Sequence, residues 1–116
     1  MDLKDYSKGI RKVALIRGFL FLDHRIEPDT QTMFFISEAK RNSEADPSFT
    51  MGWKFDDGHY QILTSAQYLE LYVAGFTFVD SLYVMEDSIN TKIDAGIFTS
   101  TDQVWNEWCE NFPLIN

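Results

Sequence analysis

Phe49-Thr50-Met51-Gly52-Trp53-Lys54-Phe55 leads into Asp56-Asp57-Gly58 and then His59-Tyr60-Gln61-Ile62-Leu63, and this stretch decides the fold class. Phe49, Met51, Trp53 and Phe55 alternate strictly with Thr50, Gly52 and Lys54, the two-residue period of a half-buried strand. The Asp-Gly pair supplies turn chemistry, and Tyr60 and Ile62 fall on one face of the returning strand. The stretch predicts a β-hairpin with Trp53 turned toward the core and Lys54 outward.

Downstream, Thr64 or Ser65 with Gln67 forms a helix-capping pattern. No proline interrupts the chain from there to Pro113, so a helix of about thirty residues, ~45 Å long, is expected from about Ala66 to Ala95. Its apolar stripe runs through Leu69, Tyr72, Phe76, Val79, Leu82, Ile89 and Ile93, widened by Phe78 and Met85. A domain of this length has a diameter near ~35 Å, so the helix is expected to bend at Gly75 or to pack its second half on another chain. Gly96 fits the left-handed position past its end. Ser100 or Thr101 opens a short last helix carrying Val104, Trp105, Trp108, Cys109 and Phe112 before Pro113.

Upstream, Val13 to Ile16 and Phe19 to Leu22 read as two short strands or one bulged strand about Arg17-Gly18, after a basic arm over residues 1–12. Pro28-Asp29 ends the extended part and caps a helix from about Thr30 to Arg41, with Met33, Phe34, Ile36 and Ala39 toward the core. Asn42 to Ser48 reads as a loop. The fold class is therefore α+β: a small antiparallel sheet of two hairpins packed on one short helix and one long C-terminal helix, with a short terminal helix. Residues 1–116 are expected to form a single domain.

Composition narrows the class further. The chain of 116 residues carries ten phenylalanines, five tyrosines and three tryptophans against three prolines and six glycines, which excludes disordered and low-complexity classes. Its one cysteine excludes an internal disulfide framework. Met1-Asp2-Leu3-Lys4-Asp5 is no signal-peptide start, and the greasiest run, Leu71 to Met85, contains Asp80 and is too short to span a bilayer. The net charge of −8 is uneven: residues 55–116 hold ten acids against the single base Lys92, whereas Lys4, Lys8, Arg11 and Lys12 crowd the start. An acidic balance of this kind opposes nucleic-acid binding, because phosphate counterions cannot be released.

Residues with chemistry are few. His24 and His59 each stand near an aspartate, Asp23 and Asp57, but two histidines without cysteines cannot fill a structural zinc site. Cys109 lies on an apolar helix face, the setting of an inert thiol. No phosphate loop, nucleophile elbow or zinc-protease pattern occurs, so neither catalysis, nor a cofactor, nor a metal is expected.

The succession of features nonetheless resembles an uncharacterised domain family found in bacteriophage tail proteins. The points of likeness are the turn glycine of Val13 to Gly18, the Asp29-Thr30 helix start, and Ile36 and Ala39. They continue with Trp53 before Asp57-Gly58, the Leu63-Thr64 helix start, Glu86, Ile89 and Ile93 of the long helix, and Thr99 to Thr101. The likeness covers about residues 13–112, and the aromatic long helix (Tyr68, Tyr72, Phe76, Phe78, Tyr83) departs from it. The resemblance implies a non-enzymatic tail or baseplate protein, structural or assembly-related, located in the virion or in the host cytoplasm during assembly. Its contacts are expected on the long and terminal helices, at Ile89, Ile93, Ile97, Trp105 and Trp108, with a homo-oligomer or tail proteins as partners and neither nucleic acid nor membrane. The alternative is a small acidic phage inhibitor that mimics DNA, for which Asp80, Asp87 and Asp94 recur every seven residues.

Overall fold

The structure, a computed structural model, describes residues 2–116. It is α+β, as the hairpin reading requires. The order is α1 (Leu3–Arg17), β1 (Phe19–Phe21), β2 (His24–Ile26), α2 (Thr30–Ala45), β3 (Thr50–Lys54), β4 (Tyr60–Thr64), α3 (Ser65–Asp94) and α4 (Thr101–Asn111), closed by a 3-10 turn over Pro113–Ile115. The strands form two separate two-stranded antiparallel sheets, β1 with β2 and β3 with β4. The chain divides into two compact units. A central unit is Gly18–Phe78, and a terminal unit joins the residues up to Arg17 to Val79–Asn116.

The central unit contains both hairpins. Gly18 sits at φ +72°, where a side chain would collide with the Ile26 carbonyl, so only glycine fits. β1 then turns back through Leu22 and Asp23, both at positive φ, and pairs Phe19 with Ile26. Asp29 caps α2, its carboxylate accepting the Thr32 N–H at 2.8 Å. The helix runs on past Arg41 to Ala45 because nothing before Pro47 breaks it, and Ser43 takes the next buried position after Ala39. Met33, Ile36 and Ala39 are buried as expected, but Phe34 is 60% exposed: it lies one residue off the buried face.

The second hairpin pairs Met51 with Leu63 and Trp53 with Gln61. Tyr60 and Ile62 share a face, but it is the solvent face, and Leu63 next to them is the core residue. Phe55 is buried and Trp53 half-buried, whereas Met51 at the strand's far end is exposed. Ile36, Phe55, Leu63, Tyr68 and Leu71 centre this core, and the Tyr68 hydroxyl donates to the Met51 carbonyl at 3.0 Å. Burial pushes the pKa of Tyr68 up to about 12, with the nearby Tyr60 adding to it.

The terminal unit overturns two expectations. Residues Leu3–Arg17 are neither arm nor strand but one helix, started by Asp2, whose carboxylate accepts the Lys4 N–H at 2.8 Å. Ser7, Ile10 and Ala14, spaced three and four apart, are its buried residues. The second half of α3 packs against its own chain, with Leu82 and Ile89 buried and Glu86 and Asp94 paired to Arg11 and Lys4 of α1. The buried positions of α3 are Ser65, Tyr68, Leu71, Gly75, Leu82 and Ile89. Leu82 and Ile89 are as expected, whereas in the first half the stripe lies one residue before the expected Leu69 and Phe76, which are exposed. Ser100 caps α4 in a full capping box with Gln103, and Trp108, fully buried, donates its indole N–H to the Ser7 hydroxyl at 2.9 Å. Among the described residues no helix is long and apolar enough to cross a membrane.

Candidate functional site

The five residues expected to meet a partner fall into three environments. Ile89 and Trp108 have no exposed surface and belong to the core of the terminal unit, which removes them from any interface of the folded protein. Ile93 and Trp105 are half-buried, and Ile97 is 60% exposed. Ile97 stands in the turn that ends α3. Gly96, at φ +74°, reverses the chain, and the Ile97 and Phe98 N–H groups both donate to the Lys92 carbonyl, at 2.9 and 3.1 Å. The Lys92 ammonium lies 5.1 Å above the Phe98 ring and 3.4 Å from Glu107. The turn is thus fixed from both sides while Ile97 remains in solvent.

Charge is redistributed by α1. Lys4 pairs with Asp94 at 2.7 Å, and Arg11 pairs with Glu86 at 2.9 Å while its guanidinium lies 4.7 Å above the Tyr83 ring. Of the seven-residue acidic series, Asp94 is paired in this way, and Asp80 and Asp87 are exposed with no ion pair among the described residues.

The histidines come together although the sequence separates them. Their rings stack at 4.0 Å with 7° between planes, and Phe55 lies against both. His24 takes Asp57 from the other hairpin as its partner, at 2.6 Å, not its neighbour Asp23. That hydrogen bond, followed by the one from the His59 N–H, holds the Asp57 carboxyl below the usual carboxylate range. The cluster joins the β3–β4 turn to β2, as does the Glu27 N–H donating to Asp56 at 2.6 Å. No group of three potential metal ligands occurs among the described residues. Cys109 is half-buried, and burial raises its thiol pKa, away from reactivity.

One surface feature was not legible as such in the sequence. An open groove of about 360 Å³ runs beside β3, lined by Thr32 and Phe35 of α2 and by Met51, Gly52, Trp53, Lys54 and Asp56. The strict alternation of β3 points to core at every second residue. The groove brings Thr32 and Phe35 beside Met51 to Lys54, a juxtaposition that local sequence does not encode. Compared with protein-family models, curated proteins and solved structures, the chain matches none.

Proposed function

We propose that the protein is a non-enzymatic protein-binding module that uses the turn between α3 and α4, and that it serves as a structural or assembly part of a phage tail. The observation that carries the binding role is Ile97, a large apolar side chain held in solvent by a fixed, glycine-capped turn. A lone exposed isoleucine is ordinary. An exposed isoleucine on an already ordered turn, with half-buried Ile93 and Trp105 in the same unit, binds without the usual loss of loop entropy. The tail setting rests on the order of sequence features alone. For the inhibitor alternative, Asp80 and Asp87 stay exposed and Asp94 is paired with Lys4.

Proteomics of purified particles tests the setting, and light scattering of wild type and Ile97→Asp tests the surface. Presence in particles, or an oligomer that the substitution dissolves, supports the proposal. A monomer absent from particles that instead captures a nucleic-acid-binding host protein replaces it with the inhibitor.

A further inference from the structure

The β3–β4 ladder leaves the backbone of β3 open on one side. Its register pairs Lys54 with Tyr60, and the Phe55 N–H donates to the His59 carbonyl at 2.8 Å. In an antiparallel ladder alternate residues exchange hydrogen bonds with the partner strand, so Trp53 and Met51 point their backbone groups at β4. Gly52 and Lys54 point theirs the other way, and neither has a partner there among the described residues. The groove lies along this same edge. Its apolar wall is incompletely covered: Phe35 is 49% and Met51 39% exposed. A row of unpaired donors and acceptors beside an apolar wall is the arrangement that accepts an added strand.

Charge selects the occupant. The Lys54 ammonium is exposed and has no ion pair among the described residues. At Asp56 the edge is already closed, its N–H donating to the Arg25 carbonyl at 3.3 Å and its carboxylate accepting the Glu27 N–H, so the open edge ends at Lys54. Side chains alternate across a strand, so Lys54 lies on the face opposite Met51 and Trp53. We infer that the free edge of β3 binds an extended segment of another protein as a third strand. That segment places apolar side chains against Phe35, Met51 and Trp53 and, on its other face, a carboxylate against Lys54. The surface belongs to the central unit, so it stands or falls independently of the Ile97 turn.

The probe is a seven-residue peptide of alternating valine and glutamate, acetylated and amidated, titrated into the full chain with backbone amides followed by NMR. In the free protein, hydrogen exchange at Gly52 and Lys54 is expected to be at least about tenfold faster than at Met51 and Trp53, and the peptide slows the first pair. Replacing glutamate with lysine in the peptide weakens binding by about threefold, the scale of an exposed ion pair, and Lys54→Glu reverses the preference. A peptide with N-methylated alternate amides in the ladder register does not bind. Three results overturn the inference: no shift at Gly52 and Lys54 at millimolar peptide, equal affinity for both peptide charges, or Gly52 and Lys54 already protected in a protein-only dimer, which makes a second copy the occupant.

Discussion

The central and terminal units stabilise themselves in opposite ways. The central unit is one contiguous stretch, Gly18–Phe78, and each of its strand pairs is closed by a short turn. The terminal unit is assembled from the two ends of the chain, and the hydrogen bond between Ser7 and Trp108 spans 101 residues of sequence. Both cores bury polar groups: Ser65 in the central unit donates its hydroxyl to the Pro47 carbonyl at 2.8 Å, and Ser7 in the terminal unit accepts the Trp108 indole N–H at 2.9 Å. A buried hydroxyl–indole bond contributes little net stability when made, but leaving either partner alone costs the desolvation of a polar group. The terminal unit is therefore tied by a bond between the two ends of the chain, whereas the ties of the central unit, such as His24 to Asp57, stay within one stretch.

Removing the largest buried side chain of the terminal unit should have the largest effect. Trp108→Ala is expected to cost ~3–5 kcal/mol, and Leu63→Ala in the central unit ~2–5 kcal/mol. Urea melts give the totals, and amide exchange locates them: Trp108→Ala should deprotect α1 and α4 before α2, and Leu63→Ala the reverse. Uniform deprotection by both variants would show that the two units open as one.

Legibility in the sequence follows the same division. The β3–β4 hairpin, the Asp29 cap, the thirty-residue α3 and the Ser100 start of α4 are all written in local signals: alternation, turn residues and capping patterns. The helix α1 is not, because two of its three buried residues are Ser7 and Ala14, and its partner Trp108 lies at the far end of the chain. Val13 and Ile16, which suggest a strand, are on the exposed side of that helix. Ile89 and Trp108, expected at an interface, are buried instead, and the Ser7 partner of Trp108 comes from the helix that the sequence does not reveal. The turn that ends α3 is legible through Gly96, whereas the β3 groove brings Thr32 and Phe35 beside Met51 to Lys54, which no local pattern sets.

A smaller effect isolates the polar pair. Ser7→Ala leaves the Trp108 indole N–H buried without an acceptor and is expected to cost ~1–3 kcal/mol. Trp108→Phe removes the donor instead, so in the double variant the Ser7 substitution should cost under about 1 kcal/mol. Equal costs of Ser7→Ala in both backgrounds would show that the bond does not link the chain ends.

The central unit has its own polar probe, read through pH. The pKa of Tyr68 lies at about 12 in the folded protein, above its ordinary 10, so the unfolded chain loses this proton first. Its contribution is complete below pH 10 and disappears as pH rises toward 12. Tyr68→Phe should therefore flatten the alkaline fall of the urea midpoint over that range, while Tyr6→Phe, in the terminal unit, serves as the control. An unchanged slope in Tyr68→Phe would mean that the hydroxyl is not held neutral by the core.

The smallest expected effect is a gain, and it tests whether a strained turn of the central unit can be relieved without touching the terminal unit. The β1–β2 turn has two central residues, Leu22 and Asp23, at φ 52° and 65°, with Phe21 and His24 paired on either side. Both central positions of such a turn require positive φ, which asparagine, aspartate and glycine adopt readily. Leucine adopts it at a cost of roughly 1–2 kcal/mol. Leu22 is 41% exposed, so it recovers only part of that cost through burial. Leu22→Asn should stabilise the protein by about 0.5 kcal/mol, the turn relief reduced by the lost apolar contact. Amide exchange should show the gain at β1 and β2 and leave α1 and α4 unchanged. Destabilisation by Leu22→Asn would mean that leucine's packing outweighs the strained backbone and that the turn is held by its side chain.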